Sequence, residues 1–353
     1  MPEEEYNEDG DWEEDENKLP EFKISGASTI PGGVMNRDIK ISGSGRIESD
    51  LECGFLKCSG SMRAVGNVVA HDGVRTSGSL NIKGSLMSDT YAKFSSSAEI
   101  GGNLDVVEAV NSSGSLVIGG QLSVEGHSKH SGSTIITGDA VVGSIHASGS
   151  FKCGGLLNAE GLAHFSSQAK VGGEIVVGSI RASGSFRGGK ALEVEEDAHF
   201  SSSAKIELGT SVNGRLSTSG SFSSGGNIEC EQGGHFSGQL ETPESLYSKG
   251  TIDITGKAKI GKHITGADIF IGVSRTSVIK THRPRDASLI GGNLRAENLV
   301  DIEDAYIDGD IYGRVVRLGP NTKVLGTVYF VDDFVVDKKA EFAGNQQITN
   351  EEL

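Results

Sequence analysis

Cysteine is scarce in this chain of 353 residues. Four thiols, Cys53, Cys58, Cys153 and Cys230, are too few for a disulfide scaffold. Cys53 and Cys58 form a C-x4-C pair with no second pair nearby, a weak zinc signal, and structural thiols are the expectation. Proline is rare at 6 residues, and aromatics make up 6%. Apolar content, 36%, is low for a packed globular enzyme, yet its regular placement excludes a fully disordered chain. No run approaches the length of a transmembrane helix. Met1 to Lys18 lacks a basic stretch followed by an apolar one, so no secretory signal is read and the cytoplasm is the expected compartment. No Walker A loop is present, and no Gly-x-Ser-x-Gly sits between an obvious strand and helix.

Glycine is abundant, with 51 residues, but it does not recur at every third position, which excludes collagen. Net charge is −16, and residues 1–21 carry eleven acids against the single base Lys18. That segment therefore reads as a disordered acidic tail on a body that is close to balanced. An overall basic footprint for nucleic acid is absent. An acidic surface is also repelled by anionic lipid, so direct membrane binding is not expected.

Repetition is the dominant signal. Ser-Gly-Ser starts at Ser42, Ser59, Ser77, Ser113, Ser131, Ser148, Ser183 and Ser219, and Ser95, Ser166, Ser201 and Ser237 head related tripeptides in the gaps and beyond. The mean spacing is about 17.7 residues. Counting from the first serine, apolar or small residues recur at +3 and +5, +9 and +11, +15 and +17. Each pair has the strand period of two, and the pairs are six apart, so three short strands fill one repeat.

The expected fold is all-β: a single-stranded β-solenoid over residues 22–344, of roughly seventeen to eighteen coils, each stacked on the next at about 4.8 Å. That makes a rod on the order of 80 Å long. Glycine at the corners is expected to supply positive φ, and serine columns to hydrogen-bond between coils. Residues 345–353 read as a short polar tail.

The thiols fall on inward slots, where they behave as small apolar groups. Phe94, Phe165, Phe200 and Phe236 share one slot at intervals of about two or four coils, so that a large ring can sit over a small neighbour such as Ala147 or Ala182. His146, His164, His199 and His235 share an outward phase. A solvated column is expected there, although His146 and His164, on adjacent coils, could approach a shared metal. Residues 274–288 break the pattern and hold Arg275, Lys280, His282, Arg283 and Arg285. This stretch reads as a loop leaving one face, with a basic docking site for an acidic partner as the sharper alternative.

The six-residue-spaced pairs over Ile24–Phe342, and above all the stretch from Ile307-Asp-Gly-Asp-Ile-Tyr-Gly through Val324-Leu-Gly-Thr-Val to Phe342-Ala-Gly344, resemble the bactofilins, polymer-forming cytoskeletal proteins. The resemblance implies a right-handed β-helix, no enzymatic activity, no cofactor, and filaments formed by end-to-end stacking without nucleotide. The chain departs from the family in having many more coils and an acidic N-terminus in place of an apolar or basic membrane-binding segment.

Stacking also has a direct physical motive, because an uncapped solenoid ends in an open sheet edge with exposed core. Phe330, Phe334 and Phe342 are the expected contacts at the C-terminal end, and Ile24, Ile30 and Val34 at the N-terminal end. The expected partner is another copy of the chain, with a further protein reached through the acidic tail or through Arg275, Lys280, Arg283 and Arg285. The alternatives are a β-helix acyltransferase, whose coil has similar spacing, and a monomeric or polysaccharide-binding β-helix scaffold.

Overall fold

The computed structural model describes residues 19–272 and 287–353. Among these there is no helix, and forty-two strands pair throughout in parallel. The chain is a β-solenoid of about 17 turns.

One coil shows the plan. Leu80–Ile82, Leu86–Ser88 and Tyr91–Phe94 are its three strands. Each pairs in register with the strand eighteen residues on: Leu80 with Ala98, Leu86 with Leu104, Tyr91 with Ala109. Three parallel stacks of strands therefore run the length of the rod, here called first, second and third. In several coils the second and third strands fuse, as in Val68–Thr76, which pairs with Leu86–Ser88 and with Tyr91–Phe94.

Alternation within each strand sets inward against outward side chains. The first stack aligns Ile82, Ile100, Ile118 and Ile136 on successive coils, all fully buried. β-Branched side chains suit such columns because they pack well on a pleated surface. The four cysteines are buried in the same core.

The aromatic slots follow a stricter rule than simple alternation in one column. Phe151, Phe186 and Phe222 lie in the first stack with Ala169 and Ala204 between them. In the third stack Phe165 pairs with Ala147 on one side and Ala182 on the other, and Phe200 follows Ala182. Coils with two rings thus alternate with coils carrying small residues in both slots, Ala169 and Ala182 in one and Ala204 and Thr218 in the next. The rings meet in a continuous zigzag, with centroids 5.3 Å apart for Phe151–Phe165, 5.7 Å for Phe165–Phe186 and 5.6 Å for Phe186–Phe200. Ring separations in this range are favourable beyond their buried area.

The corners hold by close approach rather than by unusual backbone angles. Among the described glycines only Gly32, Gly33, Gly73, Gly233 and Gly272 have positive φ, and none belongs to a Ser-Gly-Ser turn. At Gly78, a Cβ would lie 1.6 Å from the carbonyl oxygen of Gly60 on the coil below. Stacked turns leave no room for a side chain in that direction, which corrects the positive-φ expectation.

Serine hydroxyls bridge coils at a few places, as between Ser44 and Ser61 (3.1 Å) and from Ser150 to Ser133 (3.0 Å). The more regular stitch is an Asn or Asp carbonyl or carboxylate oxygen that accepts a turn N–H of the next coil. Asn103 accepts from Gln121 (3.0 Å), Asp139 from Leu156 (2.8 Å), and Asp310 from Thr327 (2.8 Å).

The break at 273–286 does not interrupt stacking. Lys259 and Ile260 pair directly with Leu289 and Ile290, and Ser288 already belongs to the strand Ser288–Ile290. At the C-terminus the last strand, Glu341–Gln347, continues past residue 344. At the N-terminus Glu21 lies in the first strand, Glu21–Ile24.

The ring alternation yields a test of packing. Phe186→Ala removes a ring from a fully lined slot and is expected to cost about 3–5 kcal/mol. Ala169→Phe crowds a third ring between Phe151 and Phe186 and is expected to cost about 1–3 kcal/mol. Hydrogen exchange of residues 165–206 should show faster opening in both variants, and unchanged protection would contradict this account of the core.

Candidate functional site

The last coil is where the core meets no further coil. Phe330 and Phe334 stack at 5.4 Å, and Phe334 meets Phe342 edge-on at 5.4 Å. These three rings are half-buried and pack against the end of the core. Val336 pairs with the buried Leu318 on the coil below, yet it is 42% exposed because no strand among the described residues covers it. Glu341–Gln347 pairs with a strand on one side only, which leaves its other edge open. The expected C-terminal contact residues are therefore together at one end of the rod.

The N-terminal end differs. Ile24 and Ile30 are buried in the first coil, and of the three residues expected at that end only Val34 is open, at 69% exposure. Arg275, Lys280, Arg283 and Arg285 lie outside the described residues.

The third stack carries a feature that a reading of net charge conceals. Its outward side chains on the first five coils are Lys23, Lys40, Lys57, Arg75 and Lys93, each aligned with the next. The column continues through Asn111, Lys129, His146, His164, Arg181 and His199 without an acid. Two residues after each of these stands an exposed serine, so the repeating unit is cation, buried residue, serine: Lys40-Ile41-Ser42, Lys57-Cys58-Ser59, Lys93-Phe94-Ser95. His146 and His199 meet their serines, Ser148 and Ser201, through Nε2 at 3.2 and 3.0 Å. A shorter column of the first stack aligns Lys152, Lys170, Arg187 and Lys205.

Elsewhere several cations pair with acids one coil away, as in Lys259–Glu241 (3.2 Å), Arg314–Asp332 (2.9 Å) and Lys323–Glu341 (2.9 Å). Among the described residues only the first two rungs of the long basic column are paired with an acid: Glu21 accepts from Lys23 at 2.8 Å and also from Lys40. Those hydrogen bonds hold the Glu21 carboxyl down to about 2.

His146 and His164 do come together, with ring centroids 4.5 Å apart and edge to face. Partial burial, then the neighbouring His164 and Lys129, lower the pKa of His146. Among the described residues no group of three or more His, Cys, Asp or Glu is arranged to hold a metal ion. The thiols are raised by burial, Cys53 and Cys230 to about 12 and Cys153 to about 11. Thiols so poised are poor nucleophiles. Among the described residues no helix is long and apolar enough to cross a membrane.

One histidine escapes the outward phase. His130 occupies the inward slot that holds Phe94 and Phe165 in other coils, and it is fully buried. Its Nε2 lies 2.8 Å from the Ser128 hydroxyl, while Nδ1 has no partner. Burial pushes its pKa down to about 4. Its position directly before Ser131 is the sequence signal that marks it as a core residue.

Compared with known proteins, the chain matches no family model, no curated protein and no solved structure.

His130 sets a pH dependence. The folded state keeps the ring neutral down to about pH 4, while the unfolded chain takes up a proton near pH 6.5. Stability from this site is therefore complete above the unfolded pKa and is lost as pH falls from about 6.5 towards 4. The loss is on the order of 3 kcal/mol. His130→Phe, which uses a ring already accommodated in this slot, should flatten the decline. Thermal unfolding of both proteins at pH 7 and pH 5 checks it, and identical pH dependences would remove His130 as the cause.

Proposed function

We propose that the chain is a non-enzymatic, cytoplasmic scaffold that assembles end to end into filaments without nucleotide, as its resemblance to the bactofilins implies. The observation that carries this reading is the C-terminal end, where Phe330, Phe334 and Phe342 are half-exposed beside an open strand edge. Unpaired edge groups and exposed core residues favour association, because a second end supplies both hydrogen-bond partners and apolar cover. Solenoids that remain single carry polar capping elements. None of the described residues forms a helix that could serve as one.

The contact on this reading is between the last coils of two rods, with the three rings at its centre. Aromatic anchors near the middle of a contact typically dominate its energetics. A filament needs a second contact at the first coil. There Val34 and, less fully, Phe22 are the exposed apolar residues, while Ile24 and Ile30 are already satisfied within the core. The buried thiols and the absence of a three-ligand cluster among the described residues suit a structural role.

Negative-stain microscopy of the purified chain at micromolar concentration, without nucleotide or metal, should show filaments. Phe342→Arg places a charge in the contact and should raise the concentration needed for assembly at least tenfold, leaving pairs of rods about 160 Å long joined at their first coils. Val34→Asp should leave paired rods that do not extend. Filaments of normal length from Phe342→Arg would overturn the assignment of the contact. Uniform single rods from the unaltered chain would overturn the reading itself.

A further inference from the structure

We propose that the basic column of the third stack is a docking track for an extended acidic peptide, and that its occupant is the acidic segment of the same chain, residues 1–18. The inference does not depend on filament formation. It rests on charge, on where the segment joins the rod, on its length, and on one contact already in place.

Charge comes first. Lys57, Arg75, Lys93 and Lys129 face outward in one file, and none makes an ion pair among the described residues. Successive coils lie about 4.8 Å apart. Like charges stacked directly across a ladder repel; several cations elsewhere are paired with acids one coil away, and the shorter file of the first stack, Lys152 to Lys205, is only four rungs long. A column left unneutralised over so many coils is the surface that a linear polyanion relieves. Residues 1–18 contain ten acids and a single lysine.

Attachment comes next. The segment joins the rod at Leu19 and Pro20, directly before Glu21–Ile24, which is the first strand of the third stack. The chain thus enters the strand that bears the first rung of the basic column, with Leu19 seated at the corner just before it beside Gly54 and Asp72. The column of the first stack, Lys152 to Lys205, has no such connection.

Length permits the fit. Eighteen residues in extended form reach about 60 Å. Lys23 to Arg181 spans nine coil steps, or about 43 Å. The segment can therefore run along the column without leaving its own rod.

The contact already present is Glu21. It is the last acid of the tail region, and it pairs with Lys23 and Lys40 at once. One carboxylate bridging two rungs is the arrangement that the preceding acids would extend. The serine beside each rung adds a hydroxyl donor to the same surface, suited to carboxylate oxygens left over from such bridges.

Carbodiimide cross-linking of the full chain, which joins carboxylates to lysine amines in direct contact, tests the proposal by peptide mass spectrometry. At low ionic strength, peptides from residues 1–18 should link to Lys57, Lys93 and Lys129 at least fivefold more than to Lys170 and Lys205. The links should fall away near 1 M salt, where screening shortens to about 3 Å. Arg75→Glu leaves every reactive lysine intact and should lower the links to Lys57 and Lys93 severalfold, with the circular-dichroism spectrum unchanged. In a mixture of isotope-labelled and unlabelled chains, links within one chain support the assignment, and mixed links overturn it in favour of a second copy's segment. Links spread evenly over the rod, or links insensitive to Arg75→Glu, overturn the track.

Discussion

Every property of this rod depends on one constraint: backbone hydrogen bonds join each coil to the next in parallel and in register. That register places equivalent residues of successive repeats directly above one another. A column of the sequence is consequently a physical object. Inward columns become continuous walls of Ile, Val or Leu. Outward columns become lines of one chemistry, whether serine hydroxyls or cations. The turn glycines belong to the same constraint, since at Gly78 the backbone of the preceding coil occupies the space of a Cβ.

The constraint also explains how polar residues enter the core. An inward slot accepts whatever its upper and lower neighbours leave room for. His130 fills the slot of a phenylalanine, next to Phe151 at 6.5 Å, with only one nitrogen satisfied. Buried imidazole kept neutral in this way carries no charging penalty at neutral pH, although its unpartnered nitrogen is a local cost, and it becomes a liability in acid. Thr76, Thr134 and Thr218 hold unpartnered hydroxyls in comparable inward positions. The many apolar neighbours in each column offset these local deficits.

Much of the fold was legible in the sequence because the repeat is strict and the strand period is two. The solenoid, its three strands per coil, the inward thiols and the phenylalanine slot all follow from phase alone. What phase alone did not reveal were relations between coils. Asn103 and Asp139 read as ordinary turn residues until the N–H above each is known. The basic column was hidden because the acidic tail dominates net charge, and because its rungs are spaced 17 or 18 residues apart. Once the register is fixed, the recurrence of cation, buried residue and serine makes it visible. The end residues divide similarly. Phe330, Phe334 and Phe342 lie half-exposed where the last coil stops, whereas Ile24 and Ile30 are covered although they belong to the first coil.

The paired rings have a consequence for how such a rod can change length. Phe151, Ala169, Phe186, Ala204 and Phe222 follow one another along one column, and Ala147, Phe165, Ala182 and Phe200 along another. Excising one turn, residues 166–182, would set Phe186 upon Phe151 and Phe200 upon Phe165, crowding four rings into space shaped for two. Excising two turns would restore ring over methyl in both columns. Through this segment the heritable unit is therefore the doublet, and duplication or loss that preserves the core changes the rod in steps of about 9.6 Å.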